Sequence, residues 1–374
     1  MQSQKNCDCM YDLIKHYQSN KKEILKSIDK ILNKGILEMG DEVEKFEENF
    51  RKYCGVKYCV TVSSGSMGLL LALKALNLNH NDEVITVANS DIPTSHAISL
   101  AGAKIKWTDI CEETFNINAD LIENNIGKKT RVILPVHLFG NPSNISKIQL
   151  VAKKYNLSIV EDACLAAGAE FNKKKIGSFS DMTVFSTNPG KVLDGIGPGG
   201  IITTNKKNLF LTLRKLRDYG RRNRPSKWPV KSHLIGYNSK MSSINAAILN
   251  IRLKYLDEYI EKRNENALIY KNLLDSKKIK FQKVLNNSKS AWRNFSIRIR
   301  NRNRIYSILY DKKFKVSLGY LPINYKDLCY NKEEKNYKLK VTEKISSEII
   351  NLPCHPYMSE KQIVTISKNI LSLV

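Results

Sequence analysis

Short apolar runs alternate with longer amphipathic segments through the first two thirds of the chain. The runs predict buried strands at 58–62, 83–87, 104–107, 131–136, 158–162, 182–185 and 201–202. Segments with apolar residues three and four positions apart predict helices at 21–32, 42–53, 67–76, 94–101, 119–126, 145–155 and 209–219. Repeated alternation of strand and helix favours the α/β class, with a mostly parallel sheet and helices on both of its faces.

The last third of the chain has a different pattern. Apolar spacing predicts one long helix over 242–274, then strands at 294–299 and 315–319 and helices at 343–350 and 361–373. We therefore predict a large domain at 1–255 and a smaller α+β domain at 256–374. The N-terminal segment of about 35 residues is helical and can pack on the small domain.

Polar residues follow several of the predicted strands. Asp162 ends a predicted strand, and the turn 63–66, His137 and the loop around Lys191 follow strands. Ligands in such sheets bind beyond the carboxyl ends of the strands. We therefore expect these groups to converge. The small residues at 63–66 lead into a helix, and they either bind an anion at its N-terminus or provide an ordinary serine cap.

Lys191 stands in a loop rich in glycine and proline between two buried strands. Burial favours the neutral amine, so a lysine in this setting is a candidate nucleophile toward carbonyl carbons. The alternative is one more surface lysine in a lysine-rich chain. Asp162 has two readings as well, a helix cap or a buried carboxylate of a site.

The net charge of +25 raises the hypothesis of nucleic-acid binding. The basic residues are spread along the whole chain, with clusters only at 214–231 and 298–304, and no basic-aromatic reading motif occurs. A positive field also suits a phosphorylated or nucleotide-linked small substrate, so we expect no polynucleotide partner.

Eight cysteines are scattered through the chain. We find no apolar signal core and no run of apolar residues long enough to span a membrane, so we expect a cytoplasmic protein with reduced thiols and no membrane partner. Cys7 and Cys9 lack a second pair of ligands, and we expect no metal site.

A lysine nucleophile, a buried aspartate and an anion cradle together meet the needs of pyridoxal 5'-phosphate (PLP). The lysine forms a Schiff base with the cofactor aldehyde, the aspartate keeps the pyridine nitrogen protonated, and the cradle holds the phosphate. Lys191, Asp162 and the turn at 63–66 are the candidates for these three roles.

At this point the chain resembles the DegT-type nucleotide-sugar aminotransferases, which have the aspartate aminotransferase fold (PLP fold type I). The similarity extends through nearly the whole chain. Its segments are 46–50 (FEENF), 64–66 (SGS), 82–85 (DEVI), 136–142 (VHLFGNP), 161–163 (EDA), 168–169 (GA), 185–186 (FS), 199–200 (GG), 236–241 (GYNSKM), 245–247 (NAA) and 352–353 (LP).

The resemblance implies that Lys191 carries the cofactor and moves the proton between cofactor and substrate, and that Asp162 pairs with the pyridine nitrogen. It implies an obligate homodimer with shared active sites, in which Asn238 of the partner subunit reaches the phosphate. The complete set of implied cofactor contacts is Ser64, Gly65, Ser66, Asp91, Asp162, Leu165, Ser186, Lys191 and Asn238.

Four positions depart from the family pattern. Leu165 stands where glutamine or histidine is usual and cannot donate a hydrogen bond to the ring oxygen of the cofactor. Asp91 stands where an aromatic residue usually stacks on the pyridine ring, and Ile92 is an alternative cover. Pro198 and Lys240 replace an acidic residue and an arginine.

The resemblance implies transamination of a keto-sugar on a nucleoside diphosphate, with L-glutamate as amino donor, in amino-sugar and surface polysaccharide biosynthesis. Two alternatives remain open. One is another PLP reaction, on a small phosphorylated ketone or as a sugar dehydratase, although the dehydratases carry histidine in place of Lys191. The other is a non-catalytic regulator that keeps the fold.

Overall fold

A computed structural model describes residues 10–221, 230–330 and 337–374 of the chain. Cys7, Cys9 and most of the basic loop at 220–231 lie outside the described residues. In the part that is described, no group of three or more His, Cys, Asp or Glu side chains could hold a metal ion. No helix within these ranges is both long enough and apolar enough to cross a membrane.

Strands and helices alternate between residues 58 and 162, four more strands follow before the next helix, and the chain is mainly helical after residue 207. The helices are α1 Leu13–Lys34, α2 Asp41–Cys54, α3 Gly65–Ala75, α4 Pro93–Ala101, α5 Ile145–Tyr155, α6 Lys207–Arg217, α7 Ser243–Leu253, α8 Leu256–Leu273, α9 Arg302–Asp311, α10 Lys340–Glu348 and α11 Glu360–Leu371. The strands are β1 Tyr58–Val62, β2 Glu83–Val87, β3 Lys104–Thr108, β4 Thr130–Ile133, β5 Ser158–Asp162, β6 Glu170–Phe171, β7 Lys174–Lys175, β8 Met182–Ser186, β9 Gly200–Thr204, β10 Lys280–Phe281, β11 Ser288–Lys289, β12 Asn294–Arg298 and β13 Ile349–Pro353.

Seven strands form the central sheet, in the order β1-β9-β8-β5-β4-β2-β3. β9 runs antiparallel to both of its neighbours, and the pairs from β8 to β3 are parallel. This sheet confirms the predicted mostly parallel α/β architecture. Its strands are almost entirely buried because helices cover both faces, as is usual for parallel sheets.

Helix α3 occupies the centre of the large core. It packs against β8, β9 and α4, and almost all of its side chains from Gly68 to Leu73 are buried. The run Leu69–Leu73 is apolar on every side, which is the pattern of a helix that lies inside the protein. The N-terminus of this helix is therefore held rigidly at the edge of the sheet.

The C-terminal part builds a second core around a small antiparallel sheet, β10-β12-β13. Helices α8, α9 and α11 contribute apolar side chains to this core, and Phe295 and Leu352 of its strands are fully buried. Helix α1 lies along α7, where Ile24 packs on Ile248 and Ile251. The division of the chain at 255/256 stays a prediction.

Three sequence predictions are wrong in their local structure. The expected helix at 242–274 is two helices, because Tyr255 leaves the helical conformation (φ −104°, ψ 2°) and its hydroxyl donates to Glu23 of α1. Only two residues separate the two helices, so the apolar positions continue at nearly the same helical spacing across the break. The periodicity of the sequence therefore does not reveal the break. The expected helix at 119–126 is two short 3-10 turns, in which the Asn118 and Asn125 side chains bond to nearby backbone groups.

The third concerns the expected strand at 315–319. Only Ser317 pairs there, through a single antiparallel bridge to Asn351 of β13. The sequence prediction also missed β13 itself and helix α9. The apolar run of β13 follows directly on the last turn of α10, so the pattern reads as one continuing helix.

Candidate active site

A cavity of about 270 Å³ opens at the carboxyl ends of the central strands. This volume is far larger than the ~10–15 Å³ that one water molecule needs. Its lining comes from segments far apart in sequence: Ser64, Gly65, Ser66, Leu69, Ser90, Asp91, Pro93, Thr94, Val136, Leu138, Asp162, Cys164, Leu165, Ser186, Asn188, Lys191 and Tyr320. Every candidate cofactor contact from the sequence lies here except Asn238.

The N-terminus of α3 forms one wall of the cavity. The Ser64 hydroxyl accepts the Met67 N–H (3.1 Å) and caps the helix, while the N–H groups of Gly65 and Ser66, in the first turn, have no acceptor within the helix. A Cβ atom on Gly65 would lie 2.7 Å from the Ser186 Cβ. Glycine at position 65 therefore lets Ser186 lie close to the N-terminus of α3. A helix N-terminus favours the binding of an anion.

Asp162 forms a second wall, at the end of β5. The Thr94 hydroxyl donates to its Oδ2 (2.7 Å) and the Cys164 N–H to its Oδ1 (3.1 Å). The side chain is buried, with 6% of the residue exposed. These two donors fix the carboxylate in one orientation.

Cys164 lies beside this carboxylate. Burial raises the pKa of the Cys164 thiol well above its ordinary value, and Asp162 raises it further, while Lys191 opposes the rise. The thiol is therefore neutral at physiological pH and is a poor nucleophile.

Lys191 is on the connection between β8 and β9. The two strands pair antiparallel up to Ser186 and Gly200, and the Thr187 N–H donates to the Gly199 carbonyl (2.8 Å). The Gly195 N–H then donates to the Thr187 carbonyl (2.7 Å). These bonds close the base of the loop, so Lys191 is held on a hairpin rooted in the central sheet.

The buried carboxylate of Asp194 anchors this loop from within. It accepts the Gly190 N–H (3.1 Å) and pairs with Arg252 Nη1 on α7 (2.9 Å). Gly190 has φ +83°, a left-handed conformation that glycine adopts without strain. Asp194 therefore fixes the backbone immediately before Lys191.

His16 of α1 completes the anchor. Its Nδ1 lies 3.0 Å from Asp194 Oδ1 and 3.1 Å from the Tyr11 hydroxyl. Burial lowers the pKa of His16, so the ring is neutral. A carboxylate only accepts hydrogen bonds, so His16 Nδ1 carries the ring proton and donates a hydrogen bond to Asp194. The N-terminal segment is thus bonded to the loop of the candidate catalytic lysine.

His137 does not line the cavity, although the sequence analysis expects it to converge with the other groups. Its ring is fully buried, with Nδ1 accepting the Ser143 N–H (3.0 Å) and Nε2 donating to Glu161 (2.8 Å). Both ring nitrogens are used in this structural network. Its chain neighbours Val136 and Leu138 line the cavity instead.

Asp91, Leu165 and Tyr320 also line the cavity. Tyr320 comes from the C-terminal part of the chain and stacks on Phe139, with ring centres 5.9 Å apart. Sequence reasoning missed Tyr320, Thr94 and Asn188. An apolar or polar residue in an irregular loop gives no periodic signal, so only the fold could reveal Tyr320.

Asn238 is exposed and lies outside the cavity of its own chain, where it forms a bridge with Asp218. This position leaves its side chain free to face a second subunit. The contact of Asn238 with the phosphate of a partner site stays a prediction.

The residues of the cavity fit PLP. An anion cradle at α3, a carboxylate held by two donors and a lysine on a fixed loop surround one space, and Gly65 leaves room where a Cβ would fill it. Bound there, PLP supplies an electron sink for reactions at the carbon that bears an amino group. Such a fold and site define a PLP enzyme of fold type I.

The comparisons with known proteins agree with this class. The family model of the DegT/DnrJ/EryC1/StrS aminotransferases matches residues 18–371. The dTDP-3-amino-3,6-dideoxy-alpha-D-galactopyranose transaminase of Aneurinibacillus thermoaerophilus is 34% identical over 91% of this chain and 93% of its own. The crystal structure of S. venezuelae DesV in complex with a ketimine intermediate superimposes with a TM-score of 0.93 at 30% identity, over 97% of both chains.

A third relative, named pleiotropic regulatory protein, from Geobacillus stearothermophilus, is 31% identical over 94% of this chain and 95% of its own. The chain belongs to the DegT/DnrJ/EryC1/StrS aminotransferase family. It is a PLP-dependent aminotransferase.

Proposed function

We propose that this aminotransferase transfers an amino group to a keto-sugar carried on a nucleoside diphosphate, in the synthesis of amino sugars for surface polysaccharides. The single observation that supports this type of reaction is that Lys191 and Asp162 line the same cavity as the N-terminus of α3, the candidate phosphate site. The substrate class rests on the relatives, which are named as a dTDP-sugar transaminase, a UDP-sugar aminotransferase and a GDP-perosamine synthase.

The residues of this chain divide the work in the following way. The N–H groups of Gly65 and Ser66 and the Ser186 hydroxyl, which line the cavity, would hold the phosphate, and Asp162 would keep the pyridine nitrogen protonated. With PLP bound, the Lys191 amine would carry the cofactor, and the freed amine would be the group that moves a proton between the substrate carbon and the cofactor. The half-buried setting of this lysine limits competition by water.

The dimer and the amino donor belong to the same proposal. Asn238, exposed outside its own cavity, reaches the phosphate of the partner subunit in an obligate homodimer. L-glutamate supplies the amino group. The cytoplasmic location expected from the sequence stays a prediction.

The test begins with the purified protein and added PLP. We expect visible absorbance from the lysine-bound cofactor, its loss in Lys191→Ala, and its bleaching when L-glutamate is added to the wild type. Lys174→Ala, an exposed lysine on β7, is the matched control. A wild type that stays colourless after PLP addition would refute the proposal.

A panel of nucleotide keto-sugars, with products read by mass, then identifies the acceptor. A sugar dehydratase would release product without bleaching by glutamate. A regulator would bind neither cofactor nor sugar. The regulator alternative is kept because one relative is named a regulatory protein, yet the complete cavity around Lys191 favours catalysis.

A further inference from the structure

Three guanidinium groups lie around the loop that carries Lys191, and one buried carboxylate lies among them. Arg252 pairs with that carboxylate, Asp194. Arg263 and Arg293 form no ion pair with any residue that the structure describes. Buried positive charge without a counter-ion is costly, so a cluster with this excess favours the binding of an anion.

Arg263 has a structural explanation. Its Nη1 donates to the backbone carbonyls of Trp292 (3.0 Å) and Cys354 (2.8 Å), and these bonds tie α8 to the small sheet. Its side chain is fully buried and its other nitrogens face no acceptor among the described residues. Arg263 therefore adds positive potential without facing the cavity.

Arg293 has a different setting. Its only side-chain hydrogen bond in the described chain joins Nη1 to the neighbouring Asn294 Oδ1 (2.8 Å), and its buried Nε has no partner there. A Cβ atom built on Gly190 would lie 3.5 Å from its Nη2. The guanidinium is thus in contact with the residue immediately before Lys191.

A backbone bond ties this half-buried arginine to a residue that packs on the cavity lining. The Arg293 N–H donates to the Phe139 carbonyl (2.8 Å), and the Phe139 ring stacks on Tyr320, which lines the cavity. Burial and Arg263 lower the pKa of the Arg293 guanidinium to about 10, which still leaves it charged at neutral pH. A charged guanidinium next to Gly190, the residue before the reacting lysine, suits the binding of a planar carboxylate.

Tyr11 covers the guanidinium on another side. Its ring lies 5.9 Å from the Arg293 Cζ and 5.4 Å from the Arg263 Cζ. Burial raises the pKa of the Tyr11 phenol, so the ring offers a π face and no negative charge. A cation-π contact compensates a buried charge only in part.

We propose that Arg293 is the receptor for a carboxylate of the substrate that reacts at Lys191. This inference rests on the proposed transamination and deepens it. Two substrates can bring the carboxylate: the amino-acid donor, or an acceptor sugar of the uronate type. The amino acid has its carboxylate on the reacting carbon, and a uronate has its carboxylate on the same sugar ring as the keto carbon.

The experiment uses the PLP-loaded full chain with Arg293→Gln, Arg293→Lys and the control Arg300→Gln, an exposed arginine of the same segment. Calorimetry measures the binding of glutarate, a dicarboxylate that cannot react. Loss of a charge-assisted hydrogen bond should weaken binding about 10- to 100-fold in Arg293→Gln, less in Arg293→Lys, and not at all in Arg300→Gln.

Two kinetic arms separate the sources. In the donor arm, the absorbance of the cofactor is measured as a function of L-glutamate concentration. In the acceptor arm, the enzyme with the amine form of the cofactor is mixed with keto-sugars that have or lack a carboxylate, and the rate is measured. We expect Arg293→Gln to raise the KM, with little change in kcat, only for the substrate whose carboxylate binds Arg293. Equal loss with every ligand, or no change in either arm, overturns it.

Failure of the proposed function would look different. A wild type that converts no donor refutes transamination, while the glutarate titration still reports on the arginine. If Arg293→Gln fails to fold by circular dichroism, Arg293→Lys retains the charge and carries the test through its change in geometry.

Discussion

The buried carboxylate of Asp194 offers the sharpest test of how the lysine loop is held. Asp194→Asn keeps the shape of the side chain and removes its charge, so Arg252, only 3% exposed, loses its counter-ion. Breaking a buried ion pair from one side costs about 3–5 kcal/mol. The asparagine can still accept the Gly190 N–H, so we expect this cost mainly as lost stability.

The assay is equilibrium unfolding in urea, followed by circular dichroism at one fixed protein concentration because subunit association would shift the midpoint. Asp275→Asn, an exposed aspartate between α8 and β10, is the matched control. A free energy of unfolding for Asp194→Asn within about 1 kcal/mol of the control would show that the anchor contributes little, and would refute the reasoning.

Two further predictions concern single side chains around the same site. Thr94→Val removes the hydroxyl that donates to Asp162 (2.7 Å), and we expect PLP to dissociate with a Kd about tenfold higher or more, as measured by equilibrium dialysis; equal values in Thr94→Ser and Thr94→Val would contradict this. Burial, then Arg263, lowers the pKa of His355 to about 3, so the folded state keeps this histidine neutral while the unfolded state takes up a proton below about pH 6.5. The folded state therefore loses stability as the pH falls from about 6.5 toward 3. Between pH 7 and pH 4.5, melting curves should show that the free energy of unfolding of His355→Gln decreases by about 2–3 kcal/mol less than that of the wild type. Parallel pH profiles for the two proteins would argue against the assignment.

The parts of the fold that sequence predicts best are those in which local pattern and burial agree. Strands β1 and β2 and helix α5 have the predicted limits, because each is a short segment with one unambiguous period. The long helix at 242–274 was wrong because the apolar stripe continues through the break at Tyr255. Local pattern carries no information about contacts with α1.

The site divides in a similar way. The residues that follow strands, such as Asp162 and Ser186, could be predicted because parallel strands end at one edge of the sheet. The pairing of His16 with Asp194 and the placing of Arg293 beside Gly190 could not be predicted, since each joins segments distant in sequence. No spacing rule relates such positions, and only the packing of α1 and of the small sheet brings them together.

The closed base of the hairpin between β8 and β9 bears on how this enzyme can change over evolutionary time. Because hydrogen bonds at Thr187, Gly195 and Gly199 fix both ends of the loop and Asp194 holds Gly190, the other residues of the loop can vary without moving the lysine. Pro198 donates none of these bonds, since proline has no N–H. New substrate preferences can therefore arise on this loop while the reactive amine keeps its place.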